Sequence, residues 1–397
     1  MNTQVSPSST PVAFTFAADG PDWQGGINYF QALFQALHAD ETKSVHPIVF
    51  LGSQADTAKY GFPDNVQIRR TRVLDRMSLP WLLNKLSSAV IGRPLLTSGL
   101  LQREGIKVLS HSAPTGLRGV RTAAWIPDFQ HLHLPQFFQK DELRKRDTLF
   151  RATIAHSDRV IVSSTSARRD LLAFSPEHAD KARVLRFAAI PPSVDLDRRL
   201  NLAQAYGLTG RFFYLPNQTW AHKNHVTAIE ALARLPDMPD VSIVCSGSLK
   251  DHRNPHHLER LRATIDRYGL ADRFRMLGMV PYSHIAELML QAVAVINPSL
   301  FEGWSTTVEE SKALGVPLIL SDIPVHREQC EGVPARFFAP LDVEALAQAM
   351  RDALSAEAPT DEAARTRLKL ALEFHVERMQ QFSRSYVAIV QELASQP

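Results

Sequence analysis

Cysteine is nearly absent: Cys245 and Cys330 are the only two in 397 residues. That is too few for a disulfide framework or a thiolate zinc site, and it fits a reducing compartment. The chain also lacks charge of one sign. Its 44 Lys and Arg against 41 Asp and Glu leave a net charge of +3, without the basic stripe that nucleic-acid binding requires. A small cluster of positive residues stands at Arg69, Arg70 and Arg72. A solvated loop is the plain reading of that cluster, and contact with an anionic membrane surface or a phosphate-bearing molecule is the sharper one. No run of about 18 uninterrupted apolar residues occurs, so no spanning helix is predicted. The most apolar stretch, 79–101, is broken by Asn84, Lys85, Arg93 and Pro94. It reads either as a buried helix pair or as a surface that dips into a membrane interface. The first ten residues are polar, with neither a basic n-region nor an apolar core, which predicts no export and a cytoplasmic location.

Familiar nucleotide and metal signatures are missing as well. The glycine-rich turn Asp19-Gly20-Pro21-Asp22-Trp23-Gln24-Gly25-Gly26 is neither a Rossmann G-x-G-x-x-G nor a P-loop with its Lys-Ser/Thr pair. The only Asp-x-Asp triplet, Asp195-Leu196-Asp197, sits in a charged stretch and reads as solvated charge. The pairs His131 with His133 and His256 with His257 lack companion ligands at zinc spacing.

What is present is an ordinary globular composition, 45% apolar and 21% charged, in a chain long enough for two cores. Short apolar runs alternate with helical periodicity, the pattern of βα units around parallel sheets. Strands are predicted at 12–16, 47–51, 108–111, 122–126, 160–163 and 183–187. After a proline-containing linker at 188–201 they resume at 212–215, 241–246, 275–277, 294–297, 317–320 and 336–338. The fold class is therefore α/β, with two doubly wound Rossmann-like domains at 1–197 and 198–371. A terminal helix in 372–397 has no strand after it and is expected to cap a domain or to cross back to the first one. In such sheets ligands bind at the carboxyl ends of the strands, so the active site is expected between the domains.

The most informative segment joins a strand to a helix: Glu302, Gly303, Trp304, Ser305, Thr306, Thr307, Val308, Glu309, Glu310. Gly303 lets backbone approach a ligand, and Ser305 to Thr307 open a helix whose free amides suit a phosphate. Glu302 and Glu310 can face one crevice, where a carboxylate accepting two hydrogen bonds suits a vicinal diol. Thr306 and Glu309 have capping-box spacing, which assigns Glu309 to the helix rather than to a ligand.

This segment, E-G-W-S-T-T-V-E-E-S-K-A-L-G-V-P-L, resembles the Glu-x7-Glu motif of retaining GT-B glycosyltransferases of family 4, E-G-F-G-L-P-x-x-E-A-x-A-x-G-x-P-V. The resemblance implies that Glu302 contacts the donor sugar, Glu310 the nucleotide ribose, and the amides of Gly303, Trp304, Ser305, Thr306 and Thr307 the sugar and diphosphate. The loop Asn217, Gln218, Thr219, Trp220, Ala221, His222, Lys223 is similar to the family's G-R-x4-K-G segment. Lys223 falls on its lysine, but Gln218 stands where its arginine is expected, with His222 or a residue elsewhere as the substitute cation. Gly25 and Gly26 resemble the family's loop near the diphosphate and acceptor. Asp128 and His131, in Pro127-Asp128-Phe129-Gln130-His131, are candidates for the family's His-Asp position near the sugar, and with Glu302 form the candidate catalytic set.

By this resemblance the chain is a metal-independent enzyme without a cofactor. It would transfer a hexose, mannose or rhamnose-like, from a nucleotide diphosphate sugar to a saccharide or lipid-linked acceptor in bacterial surface polysaccharide synthesis. Peripheral contact with the inner face of the cytoplasmic membrane goes with that reading. Two alternatives stand beside it: a nucleotide-sugar 2-epimerase, and a non-catalytic GT-B subunit that scaffolds or regulates a partner.

Overall fold

The computed structural model describes residues 9–16, 24–112, 116–191, 194, 200, 202–356 and 361–395. The Asp195-Leu196-Asp197 triplet and Asp19 to Trp23 of the glycine-rich turn lie outside them. By its contacts the chain divides into two units. One comprises 1–129, 144–188 and 377–397; the other comprises 130–143 and 189–376.

The first unit holds seven strands: β1 (Thr10–Phe16), β2 (Val45–Leu51), β3 (Gln67–Arg70), β4 (Val108–Ser110), β5 (Arg121–Trp125), β6 (Arg159–Val162) and β7 (Ala182–Val184). All ladders are parallel, in the order β3-β2-β1-β4-β5-β6-β7. The second unit holds β8 (Arg211–Leu215), β9 (Val241–Cys245), β10 (Phe274–Met276), β11 (Val295–Asn297), β12 (Leu318–Ser321) and β13 (Arg336–Phe338). Again every ladder is parallel, in the order β10-β9-β8-β11-β12-β13. Both orders reverse direction beside their first strand, at β1/β4 and at β8/β11, which makes each a doubly wound sheet with a topological switch point there. These two Rossmann-like sheets bear out the predicted fold class.

Parallel sheets are covered on both faces, and the side chains of the second sheet sort accordingly. Phe213, Leu215, Ile243, Ile296 and Ile319 pack with Ile229, Leu232 and Met350 of the helices His225–Ala233 and Val343–Ser355. Phe212, Tyr214, Val244, Val295, Leu318 and Leu320 pack on the other side with Leu288, Met289 and Val308.

The final helix, Asp361–Ala394, is longer than the sequence periodicity suggests, and its last part belongs to the first unit. Phe382 and Tyr386 are buried there, with Phe382 5.9 Å from the Tyr29 ring and Tyr386 stacked on Phe14 at 6.2 Å. Each such aromatic side chain removed from water contributes on the order of 2 kcal/mol. Glu392 fastens the end, accepting from Arg159 Nε at 2.6 Å and Arg183 Nε at 2.8 Å. The expected return of this helix to the first domain is thus observed.

Three expectations change. β3 has no counterpart in the predicted strands, because Gln-Ile-Arg-Arg carries no apolar alternation and is held by pairing with β2. The arginines there are not a solvated loop: Arg69 pairs with Glu104 at 3.0 Å, and Arg70 donates to the Ser53 and Ala55 carbonyls. The stretch 79–101 does form two helices, Leu79–Ile91 and Leu95–Arg103, but not as a buried pair, since no residue of the first is buried.

Candidate functional site

The second sheet's switch point lies between β8 and β11, and the loops that leave these two strands carry Lys223 and Glu302. Backbone and side-chain bonds fix the loops against each other. The Leu300 amide donates to the His222 carbonyl at 2.8 Å, and Asn217 Nδ2 donates to Asn297 Oδ1 at 3.1 Å. Asn297 Nδ2 in turn donates to Ser305 Oγ at 2.9 Å. Asn224, in the left-handed region at φ 56°, turns the chain from Lys223 into the next helix, and its Nδ2 reaches the Pro298 and Pro340 carbonyls. Behind this loop stands Gly247 at φ +135°. A Cβ there would come within 2.8 Å of the Gln218 nitrogen, so only glycine permits the approach.

Held this way, Lys223 Nζ donates to Glu302 Oε1 at 2.6 Å, with both side chains largely buried. Burial alone would raise the Glu302 carboxyl. The Lys223 ammonium, with contributions from His222 and His326, outweighs it and holds the group at about 2. Glu310 has no such cation. Burial pushes it up to about 7, against the opposing hydrogen bond from the Tyr282 hydroxyl to Oε1 at 3.0 Å. Tyr282 also donates to the Ile190 carbonyl at 3.0 Å. The two glutamates of the motif are therefore a fixed anion and a group that titrates near neutrality.

The helix Thr306–Ala313 starts at Ser305, whose hydroxyl caps the Val308 amide. The capping box expected from Thr306 and Glu309 is not the one used. Glu309 is buried, paired with Lys312 at 3.0 Å and bonded by Gln329 Nε2 at 3.0 Å. Gln329 also takes the Ser305 amide at 3.1 Å, so that amide is committed within the protein. Thr307 is buried too, its hydroxyl directed to the Pro216 carbonyl and Asn217 Oδ1. Gly303, Trp304 and Thr306 remain half-buried along the loop and first turn.

His222 does not supply the cation missing at Gln218. Its ring is buried, and that burial, with the Lys223 ammonium beside it, holds the imidazole down at about 3 and neutral. Gln218 itself is exposed. The cation nearest in kind is Arg253, which sequence spacing does not reveal: its guanidinium lies 5.5 Å from the Trp220 ring and 4.3 Å from that of Phe138. It also pairs with Glu142 at 3.3 Å and donates to Gln130 at 3.1 Å. These contacts tie 130–143 into the second unit, as does His133, whose ring is 5.0 Å from Phe301, next to Glu302.

His131 is buried in the short helix Gln130–His133 and belongs to the second unit, whereas Asp128, half-buried beyond β5, belongs to the first. Gly25 and Gly26 sit inside the first turn of the helix Gln24–Ala39 rather than in a loop before it. His326 is a further neighbour that no motif signals. It is fully buried, its Nδ1 2.9 Å from the Ser321 carbonyl and its Nε2 without a protein partner. Among the described residues no group of three or more His, Cys, Asp or Glu could hold a metal ion, and no helix is long and apolar enough to cross a membrane.

Comparison with known proteins agrees with this arrangement. Residues 201–369 match the family described as Glycosyl transferases group 1. The O-antigen chain mannosyltransferase RfbU of Salmonella typhimurium is 28% identical over 117 residues, 30% of this chain and 31% of that protein. The chain thus matches about a third of that curated relative's length. A glycosyltransferase from Rickettsia africae superposes with a TM-score of 0.67 at 15% identity, covering 98% of this chain and all of that one. Anabaena HepE in complex with UDP and glucose gives 0.66 at 16%, covering 96% and 100%. These two are likenesses of fold, and they extend over both sheets. With the Glu302 to Glu310 segment inside the matched region, residues 201–369 match the glycosyl transferases group 1 family, and the chain as a whole has the GT-B fold.

Proposed function

We propose that the chain transfers a hexosyl group from a nucleoside diphosphate sugar to a hydroxyl of a saccharide or lipid-linked acceptor, with retention at the anomeric carbon. The observation that carries this reading is the buried Lys223–Glu302 pair at the β8/β11 switch point, with Glu310 on the helix that follows. Lys223 keeps N–H donors beyond the one given to Glu302. Together with the helix's first-turn amides they suit the charge that develops on a departing diphosphate. Glu302, fixed as an anion, accepts hydroxyls of the sugar. Glu310 accepts the ribose diol once that diol displaces Tyr282. In the reaction the bond from C1 to the phosphate oxygen breaks and the acceptor oxygen bonds C1 from the same face. The acceptor's proton passes to the leaving phosphate. Asp128 and His131 are retained as candidates beside the sugar, and Gly25 and Gly26 on the acceptor side.

The RfbU match supports mannose or a similar hexose and an acceptor in surface polysaccharide synthesis. The complex of HepE puts UDP first among donors to try. The test is a screen of UDP-, GDP- and dTDP-sugars for binding and for released nucleoside diphosphate, with Glu310→Ala as the control. A donor that binds the parent and releases its nucleotide, with both lost in the variant, supports transfer. No binding, or a variant that turns over as the parent does, overturns it. Conversion of the sugar without nucleotide release would indicate epimerisation instead.

A further inference from the structure

The helical hairpin between β3 and β4 is built inside out. Its polar side chains bond one another across the turn: Asn84 Nδ2 donates to Thr97 Oγ1 at 3.0 Å, its Oδ1 accepts from the Thr97 amide at 3.1 Å, and Ser87 Oγ accepts from the Leu95 amide at 3.1 Å. Ser78 caps the first helix, and Gly92, at φ 70°, closes it. The apolar side chains point the other way. Leu79, Leu82, Leu83, Leu86 and Val90 are all exposed, Leu86 at 60% and Val90 at 73%. Their spacing of three and four residues is that of one helix face, the stripe that normally covers a core.

From Arg76 to Arg103 the chain has Arg76, Lys85, Arg93 and Arg103 and no Asp or Glu. Arg76, Lys85 and Arg103 are exposed. The acids that border this segment, Asp75 and Glu104, are bonded to Ser53 and Arg69. An apolar stripe that carries cations and no acid within the hairpin is the composition of a helix lying in the boundary of an anionic bilayer. The first helix has 13 residues, roughly 20 Å of rise, too short to span. A second copy of this chain is the poorer occupant, because two such faces would set cation against cation.

We propose that this hairpin docks the protein on an anionic membrane, with the leucine face in the acyl boundary and Arg76 and Lys85 among the headgroups. Docking in this sense is independent of sugar transfer, since it needs neither donor nor turnover.

The experiment is co-sedimentation of the full chain with vesicles of phosphatidylcholine alone and of phosphatidylcholine mixed with phosphatidylglycerol. Binding is expected to the mixed vesicles and to weaken several-fold between about 0.1 M and 0.5 M salt. The triple variant Leu82→Gln, Leu86→Gln, Val90→Gln should bind roughly tenfold or more weakly. It should melt as the parent does, the altered side chains being exposed. The pair Arg76→Gln, Lys85→Gln should lose only the preference for the anionic lipid. The proposal is overturned if the parent fails to sediment with anionic vesicles or if the triple variant sediments as well as the parent. It is equally overturned if the parent forms a dimer that the triple variant does not. Nucleotide binding by each variant, measured alongside, separates failure of docking from failure of the transferase reading.

Discussion

Polar side chains gather at the carboxyl ends of both sheets, and the two gatherings differ in charge. In the first unit, His111 follows β4, with its Nε2 2.7 Å from the Tyr29 hydroxyl and its Nδ1 2.8 Å from Ser110 Oγ. Tyr29 is stacked on Trp125 with ring centroids 4.4 Å apart. Burial holds the His111 imidazole down at about 3, so the cluster is neutral, and both ring nitrogens are bonded. In the second unit the Lys223–Glu302 pair is ionised while buried, and Glu310 is held near its point of ionisation. A neutral cluster whose members satisfy one another stabilises a fold. A buried charge with unused hydrogen-bonding capacity stabilises little by itself and is suited to a ligand.

The largest effect that would break this comparison is expected at Lys223. Lys223→Met leaves Glu302 buried without its cation, which should cost about 3 kcal/mol of stability. It should also slow transfer by roughly a hundredfold or more through loss of charge at the leaving diphosphate. The double variant Lys223→Met, Glu302→Gln should regain part of the stability but none of the rate. Chemical denaturation and a nucleotide-release assay read the two separately. If Lys223→Met is as stable as the parent, Glu302 is not a buried anion that depends on Lys223 for its charge.

Glu310 sharpens the contrast by pH. Its folded value, about 7, lies above the ordinary 4.5, so between those values the folded state binds more protons than the unfolded one. Its contribution is therefore fully present below the ordinary value and is lost as pH rises through about 7. Glu302 has the opposite sign: held at about 2, it contributes above 4.5 and loses that contribution as pH falls toward 2. Ribose hydroxyls donate to the ionised form of Glu310, so nucleoside diphosphate affinity should rise between pH 6 and 8 by up to about tenfold. Glu310→Gln should flatten that rise, and the difference between the two profiles cancels titration of the nucleotide's own phosphates. Parallel profiles would sink the ribose assignment.

The fold was largely legible because alternation of apolar runs reports burial directly. Every predicted strand has an observed counterpart, and β3 escaped because pairing, not hydrophobicity, holds its Arg69 and Arg70 in place. At the site, a local motif was enough to find Glu302, Glu310 and Lys223. It could not find Tyr282, Arg253, His326 or Gln329, which reach the motif through tertiary packing from other loops and helices. Glu309 shows the limit of spacing arguments. Thr306 and Glu309 match a capping box, yet Ser305 takes the cap and Lys312 takes the carboxylate. Exposure of Leu79, Leu82, Leu83 and Leu86 was also beyond periodicity, which reveals an apolar face but not what covers it.

The smallest expected effect tests the neutral side of the comparison. Tyr29→Phe removes one hydrogen bond to a buried imidazole and keeps the ring that stacks on Trp125. The loss should be about 1 kcal/mol, the ordinary net value of such a bond, with some addition for the His111 nitrogen left unpaired. Because the cluster carries no charge and belongs to the first unit, nucleoside diphosphate affinity should not change. Calorimetric melting and a nucleotide titration on the same sample decide it. A variant that melts normally but binds nucleotide as poorly as Lys223→Met would show that the neutral cluster also serves the donor, and the division between a stabilising end and a ligand-binding end would fail.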